Sequence, residues 1–108
     1  MSGDGWVRAC SVSDLPEDQA LRVEVTPDRA VAVARAGGRV YAIRDVCSHA
    51  EVPLSEGEVY DSTIECWLHG SMFDLRTGKP TGLPATKPVP VYETRIDGDD
   101  VLVRMEER

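Results

Sequence analysis

The side chains best suited to hold a metal lie in two short segments of this chain. The first is Cys47–His49 (CSH), and the second, Cys66–His69 (CWLH), follows after 16 intervening residues. Together they contain both histidines of the chain and two of its three cysteines. Thiolate and imidazole groups are common ligands of zinc and of iron–sulfur clusters. The spacing therefore predicts one metal centre. The predicted ligands are Cys47, His49, Cys66 and His69.

The way the two segments share the ligands separates two kinds of centre. The four side chains could bind one zinc ion tetrahedrally, but zinc fingers usually take two cysteines from one loop and two histidines from a helix. Here each segment supplies one of each, and no helix is predicted around them. This favours a two-iron centre with both cysteines on one iron and both histidines on the other, the ligation of a Rieske [2Fe–2S] cluster. A zinc-stapled β domain stays as the alternative.

The segments around these ligands show the period-two hydrophobic pattern of β-strands. The predicted long strands are Trp6–Cys10, Leu21–Val25, Ala30–Arg35, Arg39–Arg44, Val89–Ile96 and Val101–Met105. Glycine-containing hairpin turns are predicted at Ala36–Gly38 and Asp97–Asp100. No segment favours a helix of ten or more residues. The chain is therefore predicted to be all-β, as a sandwich or small barrel.

The middle of the chain differs in composition. Five of the seven prolines lie within Asp45–Pro90, together with both predicted ligand segments. Short strands are predicted there at Glu58–Tyr60, Thr63–Cys66 and Ser71–Leu75. We expect a single domain spanning residues 1–108, in which a loop-rich subdomain at about 45–88 is inserted into an antiparallel β base.

Both ligand segments resemble the two ligand boxes of Rieske proteins. Cys47–His49 matches the first box, Cys66–Ser71 (CWLHGS) matches the second, and Gly82–Ala85 (GLPA) is similar to the proline-containing loop that covers the cluster in that family. With the flanking strands, the resemblance spans nearly the whole chain, which looks like the small Rieske ferredoxins of actinobacteria. It implies the Rieske (ISP-like) fold, with its cluster-binding subdomain, and one [2Fe–2S] cluster.

The resemblance also indicates which further residues surround the cluster. Backbone N–H groups around Ser48, Gly70 and Ser71 are candidates to donate hydrogen bonds to sulfur. Apolar side chains of the two boxes and of the covering loop are candidates to shield the cluster from water, with ordinary core or lid packing as the alternative. The candidate cofactor-binding residues are Ser48, Trp67, Gly70, Ser71, Phe73, Leu83 and Pro84.

Two family features that raise the reduction potential are missing. High-potential Rieske proteins carry a second cysteine in each box, forming a disulfide, and a tyrosine directed at a cysteine sulfur two residues after the box serine. This chain has no second cysteine in either box, and Phe73 stands at the tyrosine position. A hydrogen bond to that sulfur favours the reduced, more negative cluster. Its absence predicts a potential at the low end of the Rieske range, about −150 mV.

Composition bounds the class of partner and the compartment. Twelve Lys and Arg against 19 Asp and Glu give a formal net charge of −7, which argues against nucleic acid and anionic membranes as partners. The charge fits docking on a basic patch of another protein, or solubility alone. With no signal segment and no long apolar run, we expect a cytoplasmic protein that does not enter a membrane.

The motifs that are missing favour electron transfer over catalysis. Rieske oxygenases carry a second iron site of two histidines and a carboxylate, and both histidines here are already assigned. No nucleotide or flavin motif and no nucleophile–base pair is present. The resemblance therefore implies a ferredoxin, not an enzyme, that passes one electron from a flavin-dependent reductase to a terminal non-haem iron oxygenase. The alternatives are a component of iron–sulfur cluster assembly and the small subunit of a nitrite reductase.

Overall fold

β-Strands and turns make up the part of the chain that the computed structural model describes, which is residues 5–17, 19–26, 29–47, 52–67, 70–81 and 87–105. The strands are β1 Trp6–Ser11, β2 Leu21–Thr26, β3 Arg29–Ala36, β4 Arg39–Arg44, β5 Val59–Tyr60, β6 Thr63–Glu65, β7 Met72–Asp74, β8 Val91–Asp97 and β9 Asp100–Arg104. Single 3₁₀ turns lie at Val12–Asp14 and Leu54–Glu56. Neither is long or apolar enough to cross a membrane, and no other helix occurs in these ranges. The all-β prediction is confirmed.

Six strands form one antiparallel sheet in the order β1-β9-β8-β4-β3-β2. Its two edge strands, β1 and β2, approach each other to within 8 Å between Cα atoms, so the sheet curls into a nearly closed barrel. Gly37 and Gly38 in the β3–β4 turn have φ angles of 59° and 77°. The predicted hairpin turn depends on that positive φ, which glycine adopts without steric cost.

β3 is buried on both faces, and its alternating sequence explains how. Val31 and Val33 point into the barrel and pack with buried residues of β1, β4, β8 and β9. This set of buried residues is called the barrel cluster below. Ala32 and Ala34 point the other way, into a second buried cluster that contains both Cys47 and Cys66. Successive side chains of a strand point to opposite faces. The larger residues therefore fill the barrel, and the smaller alanines leave room on the outer face.

A second, three-stranded antiparallel sheet, in the order β5-β6-β7, lies against that outer face. Ile64 of β6 is directly opposite Phe73 of β7, and both are buried in the cluster that includes Ala32 and Ala34. All three of its strands lie between the two cysteine segments or just after the second one. The small sheet thus connects the predicted ligand segments to the barrel. The subdomain limits of about 45 and 88 stay a prediction.

Candidate metal centre

Two of the four predicted ligands, Cys47 and Cys66, lie in the described part of the chain. Neither cysteine is in a disulfide, both are buried, and both belong to the cluster that packs on the outer face of β3. The other two, His49 and His69, lie outside the described residues, as do Ser48, Leu83 and Pro84. Within the described ranges, no group of three or more His, Cys, Asp or Glu side chains is placed to hold a metal. The structure therefore brings together the cysteine half of the predicted set.

Each cysteine opens a loop, and the two loops close in the same way. The Cys47 N–H donates to the Val52 carbonyl at 2.9 Å, and the Cys66 N–H donates to the Ser71 carbonyl at 2.6 Å, five residues ahead in both cases. These two segments, 47–52 and 66–71, are called the first and second ligand loops below. The sequence places His49 inside the first and His69 inside the second. Both loops are therefore closed by the same kind of backbone hydrogen bond, a similarity that the spacing of the predicted ligands does not require.

The second ligand loop has one further backbone bond. The Gly70 N–H donates to the Cys66 carbonyl at 2.9 Å, and Gly70 has a φ of 76°. That angle lies in the left-handed region, which a side chain makes costly. Glycine at position 70 therefore permits the turn that lets the Ser71 carbonyl accept the hydrogen bond from the Cys66 N–H.

The remaining predicted residues occupy different environments. Ser71 and Phe73 are wholly buried, and Phe73 shares its cluster with both cysteines. Trp67, next to Cys66, is 49% exposed, and Val46, next to Cys47, is 42% exposed. Each buried cysteine thus has an exposed apolar neighbour in sequence. Large exposed apolar side chains often mark contact sites for other proteins.

Cys10, the third cysteine, lies away from the centre. It is buried in the barrel cluster, whereas Cys47 and Cys66 are in the other one. Burial raises the pKa of the Cys10 thiol, with the nearby Asp14 carboxylate adding to the effect. The thiol therefore packs as a small apolar group.

Sequence reasoning missed two residues at the base of the first ligand loop, Asp45 and Ser55. Asp45 is buried, and its carboxylate accepts hydrogen bonds from the backbone and side chain of Ser55. A signal existed, because Asp45 stands between the apolar strand β4 and Cys47, where a charged side chain needs a partner. The partner ten residues ahead could not be read from local pattern.

The chemistry of the described residues fits an iron–sulfur centre. Cysteine binds metal as the thiolate. Two cysteine side chains, each from a loop closed by the same kind of backbone hydrogen bond, are buried in one cluster here. A bound cationic metal would stabilise the thiolate form of both. The two buried cysteines supply one half of the donor set predicted from spacing. The histidines that the sequence places in the same two loops would supply the other half.

Comparison with known proteins gives a consistent result. The family model for the Rieske [2Fe-2S] domain matches residues 5–93. The 3-phenylpropionate/cinnamic acid dioxygenase ferredoxin subunit of Escherichia coli (strain K12) is 42% identical over 102 residues, which cover 94% of each chain. The ferredoxin of carbazole 1,9a-dioxygenase from Nocardioides aromaticivorans IC177 superposes with a TM-score of 0.87 at 40% identity, over 94% of this chain and 98% of that one. A chain from the complex of reduced oxygenase and oxidized ferredoxin in carbazole 1,9a-dioxygenase reaches a TM-score of 0.90 at 34% identity, over 98% of both.

Proposed function

Because this chain belongs to the Rieske [2Fe-2S] family, we propose that it carries single electrons from a flavin-dependent reductase to a terminal non-haem iron oxygenase. The fold, the single [2Fe–2S] cofactor and the role of an electron-transfer protein rather than an enzyme, all predicted from the sequence, are confirmed by the family and by relatives named as ferredoxin subunits. The observation that carries the proposal is that these relatives match along almost their whole length. The assembly and nitrite reductase alternatives are not favoured.

The proposed ligands are Cys47 and Cys66 for one iron and His49 and His69 for the other. Their support is the burial of both cysteines in one cluster and the equal closure of the two ligand loops. When bound, the cluster supplies reversible uptake of one electron. The cysteine side lies deep in the protein, so the histidine side is proposed as the exit for the electron. The unit that carries the four ligands is proposed to be the subdomain at about 45–88, together with the covering residues Leu83 and Pro84.

The proposed docking surface is the rim of the two ligand loops. Val46 and Trp67 expose apolar area there, each beside a proposed cysteine ligand. Tryptophan is among the residues that contribute most to protein–protein affinity when a partner covers them. One matching structure is described as a complex of an oxygenase with its ferredoxin. By analogy, the partner of this chain is proposed to be a terminal oxygenase that covers Trp67.

A cytoplasmic setting is proposed for this exchange. None of the three cysteines of the chain is paired in a disulfide. Cysteines stay out of disulfides where glutathione and thioredoxin keep the compartment reducing.

A single-turnover experiment tests the proposed function. The protein is reduced anaerobically and mixed in a stopped-flow instrument with a terminal oxygenase from the same organism, and its reoxidation is followed by absorbance. We expect reoxidation within the turnover time of the oxygenase, with one electron transferred per protein. Direct reduction of the same oxygenase by dithionite is the control that shows it can accept electrons. A protein that stays reduced beside a competent oxygenase would rule the proposal out.

A further inference from the structure

Asp45 is the one charged side chain that is wholly buried in the described part of the chain. It follows directly after β4 and stands two residues before Cys47. A buried carboxylate is strongly destabilising unless it is paired and hydrogen-bonded. Its presence here therefore has to be explained by its partners.

Those partners come from three separate parts of the fold. One carboxylate oxygen, Oδ1, accepts from the Ser55 backbone N–H at 2.7 Å. The other, Oδ2, accepts from Ser55 Oγ at 2.6 Å and from Arg22 Nη1 at 2.9 Å. The backbone N–H of Asp45 itself donates to the Ala30 carbonyl at 3.1 Å. Asp45 thereby joins β2, β3 and the 3₁₀ turn at Leu54–Glu56.

This network closes the base of the first ligand loop. The chain leaves the barrel at Asp45 and comes back into contact with Asp45 at Ser55, and the Cys47–Val52 bond lies inside that span. Bonds to an ionised carboxylate are stronger and shorter than those between neutral groups. Two sets of hydrogen bonds therefore close the loop. The Cys47–Val52 bond is the inner one, and the Asp45–Ser55 bonds form the outer one, which is attached to the barrel.

The two charged side chains of the network, Asp45 and Arg22, differ in their exposure to water. The Asp45 side chain is fully covered, whereas the Arg22 side chain is 45% exposed. Water screens the arginine charge more than the carboxylate charge. We therefore expect a net negative field at Cys47, which is itself buried and lies two residues along the chain from Asp45. Such a field disfavours the addition of an electron nearby.

We propose that Asp45 is a positioning residue of the electron-transfer site: it anchors the first ligand loop to the barrel through Ser55, and its charge, partly offset by Arg22, lowers the reduction potential. This rests on the proposed function only in that Cys47 is taken as a ligand. The two effects act through different partners. Ser55 carries the geometry, and Arg22 carries the balance of charge.

Three substitutions in the cluster-loaded protein separate the two effects. Asp45→Asn keeps an oxygen acceptor but removes the charge, so the potential should rise by an amount that corresponds to about a tenfold change in the equilibrium constant for reduction, ~59 mV for one electron. Arg22→Gln leaves the carboxylate without its counter-charge, so the potential should fall. Ser55→Ala keeps both charges, so the potential should stay within error while cluster loss to a chelator becomes faster and the EPR signal of the reduced protein broadens. All readouts use the protein alone, without reductase or oxygenase.

The chain offers a matched control for charge. Asp100 pairs with Arg8 at 2.8 Å on the surface, where both side chains are about half exposed. Asp100→Asn changes the net charge by the same amount as Asp45→Asn, and we expect no change in potential or EPR signal.

Several outcomes would overturn the proposal. Equal potentials for the Asp45→Asn and Asp100→Asn variants would do so, as would shifts of the same sign for Asp45→Asn and Arg22→Gln, because loosened packing rather than charge would then explain them. If Asp45→Asn does not retain the cluster, Arg22→Gln decides, and an unchanged potential there is contrary to the proposal. A failed electron transfer to an oxygenase would leave these potentials unaffected, so it would count against the proposed function only.

Discussion

Phe73 stands at the position where, by the family resemblance, high-potential Rieske proteins carry a tyrosine. Its ring is wholly buried in the cluster that contains Cys47 and Cys66, and it stands opposite Ile64 in the small sheet. Phe73→Tyr adds a hydroxyl that must find an acceptor in that environment. A cysteine sulfur is the acceptor that the family resemblance indicates. We expect the potential to rise by about one tenfold step in the reduction equilibrium, ~59 mV, in a redox titration beside the unchanged protein.

Phe73→Leu is the matched control for this change. It removes the ring without adding a donor, so it should loosen packing and leave the potential near that of the original protein. A rise of equal size in both variants would mean that packing, and not the hydroxyl, sets the potential.

Cys10 gives a prediction about reactivity and pH. Burial raises the pKa of its thiol, so the folded protein holds this proton more tightly than the unfolded chain does. The associated stability is therefore present at neutral pH and is lost as the pH rises through the raised pKa. At pH 8, iodoacetamide should modify Cys10 at least roughly tenfold more slowly in the folded protein than in urea, as measured by peptide mass spectrometry. Equal rates in the two conditions would show that Cys10 is accessible as a thiolate.

For single residues, the role could be predicted where the residue type is rare in the chain. Cysteine and histidine are few in this chain, so their spacing alone indicated the centre, and its cofactor is confirmed by the family match. Aspartate and serine are common, and the position of Asp45 between β4 and Cys47 indicates that it needs a partner without indicating which one. Its role depends on Ser55 and Arg22, which only the folded chain brings to it.

Among the structural elements, the turn after β7 makes close backbone contact with the segment that leads into β8. The Gly78 carbonyl accepts from the Val89 N–H at 2.8 Å, and a Cβ added to Gly78 would lie 2.1 Å from the Val89 carbonyl oxygen. Gly78 also has a φ of 77°. The position therefore needs glycine for both its conformation and its lack of a side chain.

Gly38 makes a controlled experiment available. Its φ is also 77°, but a Cβ there would meet no atom within 4 Å. Gly38→Ala should lower stability by about 1–2 kcal/mol through backbone strain alone, whereas Gly78→Ala should cost several kcal/mol because the Val89 segment must move. The thermal midpoint, followed by far-UV circular dichroism, should fall by about 4–8 °C per kcal/mol in a domain of this size. Equal falls for the two variants would contradict the close contact.

The strands were predictable where the pattern is local. The long strands begin and end within two residues of the predicted limits, and β8 starts at Val91 rather than Val89 because Pro90 has no N–H to donate. The 3₁₀ turn at Leu54–Glu56 was missed, since three residues give no periodic signal. The pairing of β1 with β9 joins the two ends of the chain, and no local pattern contains it.

For the molecule as a whole, the charge and the apolar rim would make separate contributions to the proposed docking. On a partner with a basic surface, a net charge of −7 would give long-range attraction, which salt screens. Trp67, 49% exposed at the rim, would act only after contact. The two contributions can be distinguished by their dependence on ionic strength.

The second-order rate of electron transfer to the oxygenase, measured by stopped flow, should fall by roughly tenfold or more between low and physiological ionic strength.

Trp67→Ala should lower the affinity by about 2 kcal/mol, roughly 30-fold, at every ionic strength, because it removes apolar contact area and no charge. The slope of the logarithm of the rate against ionic strength should then be the same in both proteins. Tyr60→Ala is the control, since Tyr60 is 47% exposed in β5 but does not adjoin a proposed ligand. A rate independent of salt would assign the acidic charge to solubility alone, and equal losses for Trp67→Ala and Tyr60→Ala would show that the rim is not the docking surface.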